Sequence, residues 1–337
     1  MEKMKIIIRV PNWIGDAVLA LPAIESIRDN FPQASISIAA KNWVKDLFVS
    51  NSLAAEVISL PETNDVKTQW AAAQDLKARS FDLGLLLTNS FGSAFLFYLA
   101  RMPKRWGYGT DGRTVLLTKS VALKGSDVSR HQVFYYLDLL HSLGLKTAPP
   151  ELKLAVPPGK SQAARDRLVS VGLDPGKPVV IICPGASYGP SKRWPASRFA
   201  RLASLFQERK AAQILVIGST DEAEIAASMA SSMEKKPAVL AGETTLADLM
   251  GLISRASLFV SNDTGPMHMA NALGVPVVAI FGPTEPAVTG PFQKPSVCLK
   301  KEVPCWPCSY RKCPYDHRCL TGIDPEEVFQ ASQELWL

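Results

Sequence analysis

Short, almost wholly apolar segments alternate with segments of helical spacing along this chain, and that alternation constrains its fold more than any other feature. Residues 5–10 read Lys-Ile-Ile-Ile-Arg-Val, an apolar run without a polar face. Such a run is typical of a strand buried on both sides, as in a parallel sheet covered by helices. Further strands of the first half are predicted at residues 35–40, 57–60 and 83–87. Because helical segments separate these strands, parallel pairing with right-handed crossovers is expected.

The same pattern restarts after a proline-rich junction near residues 152–159. Buried strands are predicted again at residues 178–183, 213–218, 238–240, 257–260 and 275–281. A length of 337 residues also suggests two domains. We therefore predict two doubly wound α/β domains, residues 1–157 and 158–323, and a C-terminal helix over 324–337, for which a return to the first domain is one alternative. Ligands of such domains bind at the carboxyl ends of the strands, here in the cleft between the domains.

Composition narrows the class of protein. Hydrophobic residues are 47% and charged residues 20% of the chain, which excludes a disordered chain, a collagen and a coiled coil. The formal charge of +6 is too small to predict a nucleic-acid partner. Residues 83–100 carry no charge, but the polar residues in their middle favour a strand, a turn and a helix over a membrane span. The apolar run at the amino terminus is too short for a signal peptide, so a soluble cytoplasmic protein is expected.

Residues 184–195, Pro-Gly-Ala-Ser-Tyr-Gly-Pro-Ser-Lys-Arg-Trp-Pro, connect a predicted strand to a predicted helix. Glycines let the backbone approach an anion, hydroxyl and N–H groups can hydrogen-bond its oxygens, and Lys192 and Arg193 add positive charge. The order of the residues is not that of a Walker loop. Phosphate binding and an ordinary glycine-rich turn with two solvated cations are equally good interpretations of this spacing.

Residues 261–268, Ser-Asn-Asp-Thr-Gly-Pro-Met-His, also follow a predicted strand and open a predicted helix. Capping of that helix by Asp263 or Thr264 is the simpler role. The alternative is a diphosphate bound by the N–H groups at the start of the helix. His268 lies one turn inside, where a histidine is more often a packed residue than a catalyst.

Gly15 and Asp16 stand where the first strand passes into the first helix. Asp16 is either an N-cap residue or a catalytic base that reaches the hydroxyl group of an acceptor. The position after the first strand of a doubly wound sheet makes the second role geometrically possible.

Most of the positive excess of the chain lies between residues 98 and 130, where seven cations and two aspartates give a net charge of +5. The cations are Arg101, Lys104, Arg105, Arg113, Lys119, Lys124 and Arg130. A solvated face is the simple interpretation. A site for a multiply anionic acceptor, or for an anionic membrane surface, is the one we favour.

Five of the six cysteines lie late in the chain, at Cys298, Cys305, Cys308, Cys313 and Cys319. Disulfides are disfavoured in a protein without a signal peptide. The last four, with His317 beside them, offer enough ligands for a tetrahedral structural zinc ion. Their spacing matches no standard zinc finger, so free thiols in a packed loop are the favoured alternative.

Three of these motifs, in this order, resemble the ADP-heptose:lipopolysaccharide heptosyltransferases. They are residues 9–16, Arg-Val-Pro-Asn-Trp-Ile-Gly-Asp, followed by residues 184–195 and residues 262–268. The late cysteine segment is similar to that of many family members that add the second heptose, and the resemblance covers nearly the whole chain. It implies a GT-B fold, in which two Rossmann-like domains face each other, the first binding the acceptor and the second the nucleotide sugar.

For the reaction, the resemblance implies inverting transfer of L-glycero-D-manno-heptose from ADP-heptose onto the first heptose of heptosyl-Kdo2-lipid A, with no metal ion required. Asp16 is then the general base and Lys192 stabilises the leaving diphosphate. The donor-binding residues implied are Gly15, Ser187, Lys192, Glu222, Leu246, Asp263, Thr264, Gly265 and His268. The candidate acceptor-binding residues, beside the inner face of the inner membrane, are Arg101, Lys104, Arg105, Arg113 and Arg130.

The resemblance also implies individual roles within the donor site. Asp263 contacts the heptose, Glu222 the ribose, with Glu224 as a near alternative, and residues 244–246 lie near the adenine. The chain has Ala186 and Ser187 where some family members have two threonines, so this loop departs from the family pattern at these two positions.

Other functions remain as alternatives. Within enzymes, they are a heptosyltransferase that uses heptose-free Kdo-lipid A, another GT-B transferase and a nucleotide-sugar epimerase. From a different class, a non-catalytic nucleotide- or glycan-binding protein fits the same motifs. An NAD-dependent oxidoreductase is disfavoured, because the turn after the first strand lacks the G-x-G-x-x-G spacing.

Overall fold

The computed structural model of this chain describes residues 3–49, 53–63, 65–123 and 130–336. The chain divides into two compact units, Met1–Leu152 and Lys153–Leu337. This division falls a few residues ahead of the predicted boundary at residue 157. Each unit is built on one parallel sheet with helices packed on it, so the predicted pair of doubly wound α/β domains is confirmed.

The first unit contains six strands and six helices in its described part. The strands are β1 (Lys5–Arg9), β2 (Ser35–Lys41), β3 (Glu56–Leu60), β4 (Leu83–Leu86), β5 (Lys104–Tyr108) and β6 (Lys119–Val121). The helices are α1 (Ile14–Leu19), α2 (Leu21–Asn30), α3 (Asn42–Val49), α4 (Val66–Ala78), α5 (Phe91–Leu99) and α6 (Gln132–Ser142).

These strands pair in the order β3-β2-β1-β4-β5-β6, and every neighbouring pair is parallel. Ile6 of the central strand pairs with Ile36 of β2 on one side and with Leu83 of β4 on the other. The chain builds outward from β1 to β3 and then from β4 to β6, so the strand order reverses between β1 and β4. Ligands of doubly wound sheets bind at the carboxyl ends of the strands at such a reversal.

Two features of the first unit differ from the prediction. β5 and β6 lie inside the basic segment and were not expected, because Lys104 and Arg105 at the start of β5 hide the apolar signal of a strand. The apolar spacing of Val18, Leu21, Ile24 and Ile27 predicts one helix over residues 17–30. In the structure the helix begins earlier, at Ile14, and is broken at Ala20. Pro22 explains the break, since its ring cannot continue a helix from the preceding turn.

The uncharged stretch from residue 83 onward forms β4, a turn and α5, as predicted. Ser90 ends the turn, and its Oγ accepts a hydrogen bond from the Ser93 N–H at 3.4 Å, which caps α5. None of the helices in the described ranges combines the length and the hydropathy that a bilayer crossing needs.

The second unit contains a further six strands and eight helices in its described part. The strands are β7 (Val179–Cys183), β8 (Gln213–Val216), β9 (Ala238–Val239), β10 (Leu258–Asn262), β11 (Val277–Phe281) and β12 (Ser296–Lys300). The helices are α7 (Lys160–Ser170), α8 (Ala196–Lys210), α9 (Ala223–Ser231), α10 (Leu246–Ile253), α11 (Gly265–Ala272), α12 (Pro286–Thr289), α13 (Arg318–Thr321) and α14 (Pro325–Ser332).

The second sheet repeats the topology of the first. Its order is β12-β11-β10-β7-β8-β9, all parallel, with the reversal between β7 and β10. The predicted C-terminal helix is present as α14 and packs on α8 within this unit, where Phe206 lies 5.2 Å from Phe329 and 5.7 Å from Trp336 between ring centroids. The terminal helix therefore belongs to the second unit.

Candidate active site

Two loops leave the second sheet side by side at its reversal. Cys183, the last residue of β7, is paired with Ser261 of β10, so the segments that follow them start as neighbours. The buried side chain of Asn262 joins the two loops. Its Nδ2 donates to the carbonyl of Pro184 at 2.8 Å, and its Oδ1 accepts from the Trp194 N–H at 2.9 Å. The motifs of residues 184–195 and 261–268 therefore form one structural unit.

A buried ion pair lies in this pair of loops. Lys192 closes the short 3₁₀ turn Pro190–Lys192, and its Nζ donates to Oδ2 of Asp263. The residues are only 8% and 6% exposed, so solvent screens these charges little. The same carboxylate oxygen accepts from the hydroxyls of Thr284 at 2.6 Å and Thr289 at 3.3 Å. Asp263 therefore orients a cation at the loop and does not act as a cap.

The start of α11 has no side-chain cap. Thr264 occupies the N-cap position with φ −151° and ψ 164°, but its side chain makes no capping hydrogen bond, so the simpler interpretation of this motif is wrong. Pro266 in the first turn has no N–H group of its own. The remaining N–H groups at the start of a helix carry partial positive charge and suit a phosphate. His268 is buried one turn further along α11.

Glu222 is the buried carboxylate on the other side of β7. It ends the 3₁₀ turn Thr220–Glu222 after β8, and its Oε2 accepts from the Ser219 N–H at 2.9 Å. Its Oε1 has no hydrogen-bond partner within the described part of the chain. A Cβ atom at Gly185 would overlap the Glu222 carboxyl group, so this glycine is what lets the acid reach the end of β7. Glu224 is exposed on α9 instead.

The remaining donor candidates lie further out on the same sheet edge. Ser187 is exposed in the loop after β7. Leu246 is half-buried at the start of α10, which follows β9, two strands from β7. Thr245 caps that helix by accepting from the Asp248 N–H at 3.2 Å.

In the first unit, Gly15 and Asp16 lie in the first turn of α1, after the carboxyl end of β1. Trp13 is the N-cap residue of this helix, so the capping role that was an alternative for Asp16 is wrong. The Asp16 side chain is half-buried and lies near Tyr136 of α6. Burial first, and then the charge of Asp16, hold the pKa of Tyr136 well above its usual range.

Two of the cations proposed for the acceptor support the fold. Arg113 is completely buried, with its Nε donating to the carbonyl of Tyr108 at 2.8 Å and its Nη1 to the hydroxyl of Ser93 at 3.3 Å. Burial lowers the pKa of Arg113 to about 10. Arg105 donates from its Nε to the carbonyl of Leu116 at 2.6 Å. These two guanidinium groups link β5 to the 3₁₀ turn that follows it.

The other basic residues of this segment differ in their surroundings. Arg130 makes an ion pair of 3.1 Å with Asp138. Arg101 and Lys104 are exposed, and Lys124 lies outside the described residues.

The late cysteines converge without forming a metal site. Cys305, Cys308, Cys313 and Cys319 line one small cavity of about 20 Å³. They are free thiols, and neighbouring thiols help to raise the pKa of Cys319, for which burial is the larger cause. Within the described ranges, no group of three or more His, Cys, Asp or Glu side chains has an arrangement that could hold a metal ion. Cysteine thiols are suitable ligands for zinc, but these four thiols are not arranged as a zinc site.

Two buried cations of the first unit, Arg9 and Lys41, were not among the predicted site residues. Each ends an otherwise apolar strand, β1 and β2 respectively. A charge inside an apolar run was the signal that could have identified them, because charged residues are almost never fully buried without a reason.

Comparison with known proteins gives a consistent picture. The profile of glycosyltransferase family 9 (heptosyltransferase) matches residues 69–318. Lipopolysaccharide heptosyltransferase 2 of Salmonella typhimurium is 31% identical over 305 residues, 86% of either chain. Lipooligosaccharide heptosyltransferase 2 of Campylobacter jejuni (serotype O:6) is 29% identical over 339 residues, 98% of this chain and 99% of the relative.

The structural match agrees with these relatives. The structure of E. coli ADP-heptose lps heptosyltransferase II superposes with a TM-score of 0.87 at 26% identity, over 99% of this chain and 98% of that one. The fold class is therefore GT-B, as the resemblance implied. The protein is a glycosyltransferase with heptosyltransferase activity in lipopolysaccharide core biosynthesis. Since the family profile spans well over half of the sequence, the chain belongs to glycosyltransferase family 9, the heptosyltransferases.

Proposed function

We propose that this enzyme transfers L-glycero-D-manno-heptose from ADP-heptose onto the first heptose of heptosyl-Kdo2-lipid A, with inversion at the anomeric carbon. The observation that carries the proposal is the buried Lys192–Asp263 pair beside the uncapped start of α11, at the reversal of the second sheet. Relatives that are named heptosyltransferase 2 support the acceptor. The likeness to the E. coli ADP-heptose lps heptosyltransferase II supports the donor.

On the donor side, the chemistry needed is stabilisation of a leaving diphosphate. The charge of Lys192 and the N–H groups that start at Thr264 and Gly265 are fixed before the donor arrives. Hydrogen-bond donors that need no reorganisation stabilise developing negative charge most effectively. We assign Asp263 to the heptose, and the free Oε1 of Glu222 to a ribose hydroxyl.

The outer donor candidates complete the proposed site. Ser187, exposed in the loop after β7, would add a hydroxyl donor to the diphosphate. Leu246 would give an apolar contact to the adenine, and buried His268 would support the start of α11 from within. Gly15 would leave room for the sugar next to Asp16.

On the acceptor side, a base must take the proton of the attacking hydroxyl. We propose Asp16 as that base, since a carboxylate in the first turn of α1 lies at the strand end where doubly wound domains bind ligands. A positioned general base contributes about 10²–10⁴-fold to the rate. The proposal requires the carboxylate and the donor to meet in the reacting complex.

We propose that the transfer needs no metal ion, because Lys192 and the start of α11 together supply the positive charge that the leaving diphosphate requires. We also propose a cytoplasmic enzyme that contacts the inner face of the inner membrane, where an amphipathic acceptor is available. The exposed Arg101 and Lys104 would meet anionic headgroups there.

A panel of nucleotide sugars tests the donor assignment. We expect ADP-heptose to raise the melting temperature and to be turned over, whereas UDP- and GDP-sugars do neither. A larger shift and turnover with a UDP- or GDP-sugar would overturn the donor assignment and favour another GT-B transferase.

A further inference from the structure

The segment between β12 and α13, residues 301–317, carries three of the late cysteines, and we call it the cysteine loop. Its residues 309–311 lie against residues 188–191 of the loop after β7. Ser191 also lines the small cavity that the four late thiols share. Lys192 is the next residue, so the cysteine loop is in contact with the segment that carries the cation assigned to the leaving diphosphate.

Three hydrogen bonds join the two loops. The Tyr188 hydroxyl donates to the carbonyl of Ser309 at 2.7 Å. Ser191, which is buried, donates from its hydroxyl to the carbonyl of Tyr310 and from its backbone N–H to the carbonyl of Arg311 at 3.4 Å. The backbone of the cysteine loop is therefore held against the loop after β7.

Two further contacts fix the backbone around Arg311. A Cβ atom at Gly189 would overlap the carbonyl oxygen of Arg311, so the absence of a side chain at this glycine permits the approach. On the other side, the Ser309 N–H donates to the carbonyl of Pro283, just after β11, at 2.9 Å. The cysteine loop is thus attached to two segments at the carboxyl end of the second sheet.

The half-buried ring of Tyr188 has two cations beside it. The Lys192 Nζ lies 4.7 Å from the ring centroid, and the Arg311 Cζ lies 5.1 Å from the same centroid. Cations at such distances are attracted by the electron-rich face of an aromatic ring. Attraction to one shared ring therefore keeps these two like charges near each other.

The charge of Arg311 has no carboxylate to balance it. In the part of the chain that the structure describes, Arg311 forms no ion pair. The nearest acid along the sequence, Asp316, is paired with Arg318 at 2.9 Å. Asp263, by contrast, balances part of the charge of Lys192. Arg311 thus adds an uncompensated positive charge beside the buried pair.

A diphosphate matches this arrangement. It carries more than one negative charge, and a planar guanidinium can donate to two phosphate oxygens at once. Arg311 is exposed, so an anion can reach its side chain from solvent. The backbone contacts of the cysteine loop hold the residue in place before the anion arrives.

We propose that Arg311 is a second cation of the donor site, which binds the donor diphosphate together with Lys192, and that Tyr188 positions both side chains. Arg311 then adds to the positive charge of Lys192 and of the start of α11. The inference rests on the proposed function, which supplies the diphosphate. It also gives the cysteine loop a role, which is to bring this cation to the loop after β7.

Calorimetric titration of the full chain with ADP tests the proposal. We expect Arg311→Gln to raise the Kd for ADP about five- to tenfold, the effect of losing one charged contact. Arg311→Lys keeps the charge but not the planar fork, and should give a smaller increase. The matched control Lys312→Gln removes the next cation of the same loop, which is also exposed, and should bind ADP within about twofold of the wild type.

Titration with adenosine, which has no phosphate, separates a contact to the anion from a merely structural role. The Kd for adenosine should be the same in the wild type and in Arg311→Gln. An equal loss of affinity for ADP and for adenosine would show that Arg311 only supports the loop, and would overturn the proposal. A Kd for ADP within about twofold of the wild type in Arg311→Gln, or a wild type that binds no ADP, would overturn it as well.

Neither an acceptor nor a sugar donor is present in these titrations, so their result is independent of transfer. A wild type that binds ADP through Arg311 but transfers no heptose would leave the second cation standing and remove the proposed function. A wild type that transfers heptose, with the same Kd for ADP in Arg311→Gln, would do the opposite.

Discussion

Lys192 is held ready by a carboxylate that has other partners of its own. Asp263 accepts from Thr284 and Thr289 as well as from Lys192, so it stays in place if the ammonium turns toward a phosphate. Because both charges are nearly buried, their interaction with a ligand is stronger than at a surface. A substitution of Lys192 alone therefore tests the proposed stabilisation of the leaving diphosphate.

Replacement of Lys192 by alanine removes the cation assigned to the leaving diphosphate. We expect kcat/KM for ADP-heptose to fall at least about tenfold, as one charged hydrogen bond predicts. Lys177→Ala is the matched control, since Lys177 is exposed and lies 3.9 Å from Asp174 in the same unit. A Lys192→Ala enzyme with the rate of the wild type would remove this residue from the mechanism.

Replacement of Asp16 by asparagine keeps the shape of the side chain but removes its ability to accept a proton. We expect transfer to be abolished and the affinity for ADP-heptose, measured by calorimetry, to stay nearly unchanged. The two readouts separate catalysis from donor binding. Near-normal turnover by Asp16→Asn would refute the role of this carboxylate as the base.

At the level of secondary-structure elements, close packing between the loop after β7 and the turn after β8 positions Glu222. The carboxyl group occupies the space that a side chain at Gly185 would need, so the turn after β8 and the loop after β7 fit only with glycine there. The sequence of neither loop alone shows that residue 185 must be glycine. This requirement arises where β7 and β8 are neighbours in the sheet.

A double-mutant cycle tests this packing. Gly185→Ala is expected to lower the free energy of unfolding by about 1–3 kcal/mol, the usual cost of overpacking. The cost should shrink by more than half when Glu222→Ala removes the overlapping atoms. Gly92→Ala is a control, because a Cβ there meets no atom within 4 Å. Equal costs with and without Glu222 would show that the two residues do not compete for space.

The loop that carries the late cysteines allows a second test, of whether its four thiols are free. Four thiols share a small cavity but do not have the arrangement of a metal site. We expect protein purified without chelator to contain well under one zinc or iron ion per chain by elemental analysis. One ion per chain, lost together with thermal stability on chelation, would contradict the free-thiol interpretation.

Sequence patterns predicted elements well where one strong signal dominated. β1, β4 and α5 follow from apolar runs and from the polar turn between the last two. β5 was missed because its charged start outweighs its apolar end. Local charge also misled the assignment of Arg113, since only the folded chain shows that its guanidinium is enclosed. Such burial depends on partners distant in sequence, which no local pattern contains.

The site itself was predictable in part. The loops after β7 and β10 were identified by position, but the joining role of Asn262 and the Lys192–Asp263 pair connect residues about 70 positions apart. The structure also decided between alternatives that spacing left open, because neither Asp16 nor Asp263 caps a helix.

At the scale of the whole molecule, two sheets of the same topology divide the task. The second unit carries the residues assigned to the donor, and the first unit carries Asp16, the proposed base. This division suits the two substrates that we propose, a nucleotide sugar and an amphipathic glycolipid.

Mass spectrometry of the reaction product measures the central claim most directly. The enzyme is incubated with ADP-heptose and either a one-heptose acceptor, heptosyl-Kdo2-lipid A, or the heptose-free Kdo2-lipid A. We predict that the one-heptose acceptor gains the mass of a single heptose and that the heptose-free acceptor gains none. Gain on the heptose-free acceptor alone, or on neither of them, would contradict the account.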